Sequence, residues 1–445
     1  MKSMEKALEL SIWNLIPIMT KSIISIFVFF SVFSSAELLL EITQGSENPI
    51  NLSIYEISGQ GNEDTLIKNI IQNDLMRTGE IKFIEGVDIV TLPENDQEFN
   101  YSGWKLLGLD YVVIPSIKSP DKNSIEYRYR VFDVSRKREV RSSTVFGLSS
   151  NLRQVGHYAS DGIYEAITGI EGVASTKLLY VNEIFIRDEK SYRLMVSDVD
   201  GHNERTLLNS PEPIISPAWS PKGDKVAYVS FETGIANVYI QDLATGDRES
   251  VLEQNTQISS PAWSPDGKYL SLTLYQDGNA EIYILRLRDK TLTRLTNHYS
   301  IDTEAIWSPR GNKILFTSGR SGSPQLYEIS LRGLRSKPKR ITFDGTYNAK
   351  GSYLPDANGN IFVHRAKSGS FHIALKYKKE NFIRILTEAR LDESPSVAPN
   401  GNMVVYAISE DNKAKLAILS LNGARFVLPS SQGVVREPAW SGFVR

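Results

Sequence analysis

The chain of 445 residues contains no cysteine and only five histidines. The first absence excludes a disulfide framework, a thiolate metal site and a lipid-modified cysteine behind a leader. The histidines (His157, His202, His298, His364 and His372) fall in separate segments without a His-x-x-x-His spacing. They read as packing or surface residues and not as metal ligands. A Gly-x-Ser-x-Gly nucleophile elbow is also missing. Charge of one sign is lacking too: the formal net charge is −2 with signs mixed along the chain. The one basic cluster, Arg332, Arg335, Lys337, Lys339 and Arg340, has no interleaved aromatics, so it reads as a solvated hairpin tip and no nucleic-acid partner is expected.

Apolar runs of bilayer length are absent as well. The run Ile23 to Phe33 follows Lys21 and precedes Ser34, Ser35 and Ala36, and it falls short of the roughly 20 apolar residues that span a membrane. Residues 1–36 are therefore expected to be an export signal cleaved after Ala36, with no stable membrane insertion of the remainder. Glu5 and Glu9 precede a signal that would look ordinary if translation began at Met19, which makes Met19 an alternative start.

What is present is repetition. The phrases Pro217-Ala-Trp219-Ser-Pro221-Lys-Gly223, Pro261-Ala-Trp263-Ser-Pro265-Asp-Gly267 and Ile306-Trp307-Ser-Pro309-Arg-Gly311 set their tryptophans 44 residues apart. Weaker copies follow at Tyr353-Leu-Pro355, Val397-Ala-Pro399-Asn-Gly401 and Pro438-Ala-Trp440-Ser441. A period of roughly 40–50 residues with Trp and a Pro/Gly turn is that of a four-stranded propeller blade. The hairpins between the phrases, from Tyr192, Asn237, Glu281, Gln325, His372 and Lys415, also number six. The first unit, from Lys177, lacks its Trp phrase, and the last phrase, at Trp440, lacks a hairpin. The two ends are expected to complete one blade and leave no free sheet edge. Pro and Gly serve the turns, and each Trp reads as a wedge between blades.

Ahead of the repeats the texture changes. Strands are expected from Asn51, Ile81, Tyr111 and Ser124 and over Lys137 to Phe146, with a helix through Leu66, Ile67, Ile70, Ile71 and Leu75. A last helix from about Asn151 to Thr168 places Leu152, Val155, Ala159, Ile163 and Ala166 on one face. The chain thus reads as an α+β multidomain protein: signal 1–36, a small α/β domain over 37–170 and a six-bladed β-propeller over 171–445.

Asp302 with Glu304, Asp392 with Glu393, and Glu437 all precede a Trp-type phrase. Symmetry is expected to gather them as a ring at one end of the central channel, where they would hold a cation or receive a peptide's basic and amide groups. A carbohydrate-active enzyme using such acids, or a ligand-binding propeller, is the alternative to a docking scaffold.

The segments His157-Tyr-Ala-Ser-Asp161-Gly-Ile-Tyr-Glu-Ala-Ile-Thr-Gly169-Ile, Val196-Ser-Asp-Val-Asp200-Gly201, Ser216-Pro-Ala-Trp219-Ser-Pro and Leu391-Asp-Glu-Ser-Pro395-Ser-Val-Ala-Pro399-Asn-Gly401 resemble the TolB family of the Tol-Pal system, over nearly the whole chain. The resemblance implies a periplasmic, non-enzymatic scaffold, monomeric on its own, that supports outer-membrane integrity during cell division. It implies that the lipoprotein Pal binds the propeller. Carried over by motif, the Pal positions are Gln257, Ser260, Thr303 and Glu304, and the symmetry ring adds Asp392, Glu393 and Glu437. It also implies that TolA binds the segment Glu37, Leu38, Leu39, Leu40, Glu41 and Ile42, an apolar stretch suited to strand addition. Some members are captured by toxin import peptides, with calcium in the channel; no cofactor is required. Two departures from the family pattern are Gln257, in place of a histidine, and Tyr347-Asn-Ala-Lys350 in a more acidic position. The two partner sites are expected to be coupled through the domain interface.

Overall fold

The 44-residue period becomes six four-stranded antiparallel sheets in a computed structural model. It describes residues 48–56, 62–92, 99–186, 189–253, 256–332, 336–388, 391–410, 413–429 and 433–443. The signal segment and Glu37 to Ile42 lie outside the described residues. The innermost strands are Ile214–Trp219, Ile258–Trp263, Asp302–Trp307, Asn348–Tyr353 and Asp392–Val397 in blades two to six, and Val434–Trp440 in blade one. Each repeated phrase is therefore the strand that lines the axis, and the Pro/Gly turn leads outward to the second strand.

Blade one joins the two ends of the repeat region. Val434–Trp440 pairs with Lys177–Ile186, which is followed by Glu189–Asp198 and Arg205–Ser210. Trp440 is 6% exposed and donates its indole N–H to Thr176 at 2.8 Å. Two further tryptophans act as wedges: Trp219 donates to Ala439 O at 3.0 Å and Trp307 to Ala262 O at 3.1 Å, each reaching the preceding blade.

The α/β domain holds a five-stranded sheet of order β2-β1-β3-β4-β5, with β1 Ile50–Ile54, β2 Ile81–Phe83, β3 Tyr111–Lys118, β4 Ser124–Asp133 and β5 Arg138–Leu148. β1 runs parallel to both β2 and β3, and the rest is antiparallel. Helices α1 (Asn62–Met76) and α3 (Leu152–Thr168) pack Ile67, Ile71, Leu75, Val155, Ala159 and Ile163 onto one face of the sheet. The spacing of these residues places them on one stripe of each helix. Asn151 caps α3 by accepting from Gln154 N. A short helix α2 (Tyr101–Leu106), absent from the sequence reading, covers the other face. Its Trp104 is fully buried and donates to Tyr55 Oη at 2.8 Å. Six residues with one apolar anchor are too few for a helical period to register.

Candidate functional site

Every inner strand shifts register just before its Pro-Ala-Trp phrase or the equivalent. The residue there is left-handed in all six blades: Ser216 (φ 53°), Ser260 (53°), Glu304 (57°), Lys350 (51°), Ser394 (54°) and Glu437 (50°). None is a glycine, so each carries strain on the order of 1 kcal/mol. A bulge re-aims the side chain, and all six line a channel cavity of about 300 Å³.

The bulge sorts the expected ring of acids into two groups. Asp302 and Asp392, two residues ahead of it, turn into the blade and are 0% exposed. Asp302 is paired with Arg320. Neither oxygen of Asp392 has a well-formed hydrogen bond among the described residues, and burial pushes its carboxyl above the ordinary value, offset in part by nearby Thr387. The expectation that Asp392 lies on the rim is thus corrected, because the bulge at Ser394 breaks the period-two alternation that would set residues 392 and 394 on one side. Thr303 and Glu393, one residue ahead of the bulge, are half-buried, and Gln257 is exposed at the strand entrance. Ser260, Glu304 and Glu437 face the channel.

The two channel glutamates are already engaged. Glu437 accepts from Ser216 N of blade two. Glu304 accepts from Lys350 N of blade five and from Thr317 Oγ1, both at 2.8 Å. Each fastens its own blade to the next. Lys350 Nζ donates to Ser394 Oγ at 3.0 Å. A Ser–Lys contact serves as nucleophile and base in some hydrolases, but here the serine's conformation is shared with five symmetry-related residues and belongs to the repeat.

The strand entrances open on one face of the ring. The loops there expose Phe185, Tyr275, Tyr299, Ile301, Phe343 and Leu391, with Tyr299 86% and Phe343 67% exposed. The opposite face carries the α/β domain, held by turns of blades six and one. Ser420 Oγ donates to Thr78 O, Asn422 to Glu80 at 2.7 Å, Asn402 to Tyr164 Oη at 3.2 Å and Asn400 to Glu171 O at 3.0 Å.

The centre of that junction is ionic and was not legible from spacing. His157 of α3 has Nδ1 2.7 Å from Asp74 of α1, and its Nε2 lies 3.6 Å from Asp200 and 3.7 Å from Asp198, both in blade one. Arg153 pairs with Asp200, Lys177 with Asp198 and Arg77 with Asp74. Burial would raise the Asp198 carboxyl, but His157 and Lys177 hold it at about 2. Burial would raise Asp200 as well, yet His202, Arg77, His157 and Arg153 keep it below the usual carboxylate range. Burial pulls Arg77 down to about 10. The linker between the domains is clasped by Asp161, which accepts from Ala174 N at 2.6 Å and Ser175 N at 3.0 Å. Gly172 passes so close to Asp161 that a Cβ there would lie 2.4 Å from its Cα. Asp, His and Arg carry no periodic signature, and their quoted segments mark the site only through resemblance.

These features define a six-bladed propeller that carries an α/β domain on one face, at blades six and one, and is open on the other around a serine-, glutamate- and lysine-lined channel. Residues 164–444 match the model described as the TolB beta propeller domain, and residues 38–140 that of the TolB amino-terminal domain. The chain belongs to the TolB family. It is 44% identical over 424 residues to the Tol-Pal system protein TolB of Alcanivorax borkumensis, covering 93% of this chain and 95% of that one. It is 46% identical over 412 residues to the protein of the same name from Pseudomonas aeruginosa, covering 91% and 94%. The crystal structure of TolB from Acinetobacter baumannii superposes with a TM-score of 0.81 at 37% identity, covering 92% of this chain and all of that one.

Proposed function

We propose that this chain is a non-enzymatic docking component of a Tol-Pal assembly in the periplasm, exported by its N-terminal signal and supporting outer-membrane integrity during division. Pal binds the open face of the propeller, and TolA binds the segment Glu37 to Ile42. One observation carries the reading: the α/β domain occupies one face, and the other presents exposed aromatic and aliphatic loops around half-buried Thr303 and Glu393 and exposed Gln257. An apolar patch rimmed by polar residues is the mark of a protein partner's footprint. The binding needs no metal, because Lys350 already places a cation in the channel.

Calorimetric titration of residues 37–445 with the soluble Pal domain of the same organism tests this. Glu393→Arg and Thr303→Arg are the diagnostic variants. Glu304→Arg is unsuitable, because it also breaks the link between blades four and five. Loss of binding in both, with unchanged melting temperatures, supports the reading; a folded protein that binds no Pal at any accessible concentration defeats it.

A further inference from the structure

Charge is unevenly placed along the chain. Residues 302–388, which form blades four and five, hold 15 Lys and Arg against 7 Asp and Glu, while the rest of the chain holds 35 against 45. Two blades are therefore strongly basic in a chain whose formal balance is −2. A field of one sign over a limited surface draws a partner of the other sign.

The fold carries part of this charge to the outer edge of the ring. The outermost strands of the two blades, Lys339–Arg340 and Arg384–Ile385, are two residues long and basic. They flank one seam, since Ile341 and Ile383 pack against the same cluster of Leu326, Phe362 and Ala374. Arg384 is paired with Glu380. Lys339, Arg365, Lys367, Lys378 and Lys379 are exposed, and among the described residues none has a carboxylate within 4 Å. Unpaired like charges on one flank repel each other, and an anionic partner relieves that repulsion.

Charge alone would suit any polyanion; apolar surface narrows the choice. Phe382 is 55% and Ile385 49% exposed, and the Arg384 guanidinium lies 5.7 Å from the Phe382 ring centroid. The basic cluster Arg332 to Arg340 has no aromatics within it, and the fold supplies one from the neighbouring blade. Phe382 and Ile385 line a cleft of about 770 Å³ together with Arg365 and Lys367, and Asp344 is the one acid among its lining residues. A hydrophilic polyanion would leave the apolar side chains in water. A bilayer surface covers both kinds, because exposed aromatic and aliphatic groups enter the headgroup boundary while the cations around them meet phosphates.

We propose that the outer edge of blades four and five docks on an anionic phospholipid bilayer. Phe382 and Ile385 enter the boundary between headgroups and acyl chains, a lipid phosphate occupies the cleft against Arg365 and Lys367, and Lys339, Lys378 and Lys379 meet neighbouring headgroups. The contact is peripheral. It is distinct from the proposed Pal positions, which lie on or beside the innermost strands, and from the contacts of the α/β domain in blades six and one. It stands whether or not Pal binds.

The test is co-sedimentation of residues 37–445 with vesicles of equal parts phosphatidylcholine and phosphatidylglycerol, beside vesicles of phosphatidylcholine alone. Expected are binding to the mixed vesicles only and its decline with added salt. Phe382→Ala with Ile385→Ala should weaken that binding about tenfold, and Arg365→Glu with Lys367→Glu should abolish it. Lys222→Glu with Lys268→Glu, on blades two and three, should leave it unchanged. All three variants alter exposed side chains, and equal melting temperatures establish that they are folded. Absence of binding to the mixed vesicles overturns the proposal, as does equal binding to both vesicle types. Undiminished binding by the folded Phe382→Ala, Ile385→Ala protein overturns it too, because that result describes adsorption to any polyanion, and competition by heparin would identify it.

Discussion

The imidazole Nε2 of His157, on the last helix of the α/β domain, lies 3.6 Å from Oδ2 of Asp200 in the propeller. The same Asp200 oxygen pairs with Arg153 and lies 3.9 Å from Arg77. One propeller carboxylate thus gathers three basic side chains of the neighbouring domain, and the docking of the two domains depends on its charge.

Removing that charge strands its partners. Asp200 is 4% exposed as a whole residue and Arg77 3%; Asp200→Ala leaves Arg153 without its carboxylate and Arg77 with Asp74 alone, a loss below the roughly 3–5 kcal/mol of a fully uncompensated buried charge. Urea unfolding followed by tryptophan fluorescence measures the loss. Limited proteolysis should show faster cleavage in the linker around Gly172, since the clasp at Asp161 is then the main remaining restraint there.

The acid limb of stability follows from the same site. Asp198 and Asp200 are held below the range of an unfolded aspartate. Their contribution is present above the unfolded value of about 3.9 and is lost as pH falls through the folded values. The melting temperature should therefore drop between about pH 4 and pH 2, the value at which Asp198 itself titrates. Asp198→Asn should flatten that limb while lowering stability at neutral pH; an unchanged slope would refute the assignment.

Asp392 behaves in the opposite sense. Burial raises its carboxyl above the ordinary value, so this group favours the folded state below the unfolded value, and that contribution is lost as pH rises through the folded one. Asp392→Asn should stabilise the protein at pH 7, with the gain vanishing near the unfolded value of about 3.9 and below. Denaturant midpoints at the two pH values check both halves of the statement.

Truncation after Val435 removes most of the strand Val434–Trp440 and with it the inner strand of blade one. The ring then exposes free strand edges and the apolar surface covered by Trp440. Differential scanning calorimetry should show a strongly lowered melting temperature, and size-exclusion chromatography should show oligomers. A truncated protein that melts like the full chain would remove the closing role of this strand.

Much of this architecture was legible because it repeats or alternates. Trp219, Trp263 and Trp307 fixed the blade period, and the unpaired phrases at Lys177 and Trp440 fixed the closure. Helical spacing was visible in α1 through Ile67, Ile71 and Leu75, whereas α2 was too short to show one. The channel was harder to read. Sequence symmetry placed Asp392 and Glu437 on one ring, yet a bulge at Ser394 and at Glu437 separates what precedes it from what lies on it. The bulge position is Ser, Lys or Glu in every blade and never Gly, despite the strain, so residue type gave no warning. The ionic junction was invisible for another reason: Asp74, His157 and Asp200 are far apart in sequence and meet only once both domains exist.

The closed ring has one blade whose strands are not consecutive in the chain, and the α/β domain is fastened to that blade and to its neighbour. Asp198 and Asp200 belong to blade one, while Asn400, Asn402, Ser420 and Asn422 belong to blade six. Between them runs the strand Val434–Trp440, joined to Lys177–Ile186 by hydrogen bonds and side-chain packing with no turn connecting the two. Mechanical tension applied through the α/β domain is therefore delivered at the clasp of the ring. Unzipping of that strand pair is the expected first response to such a load, ahead of the blades made of consecutive strands.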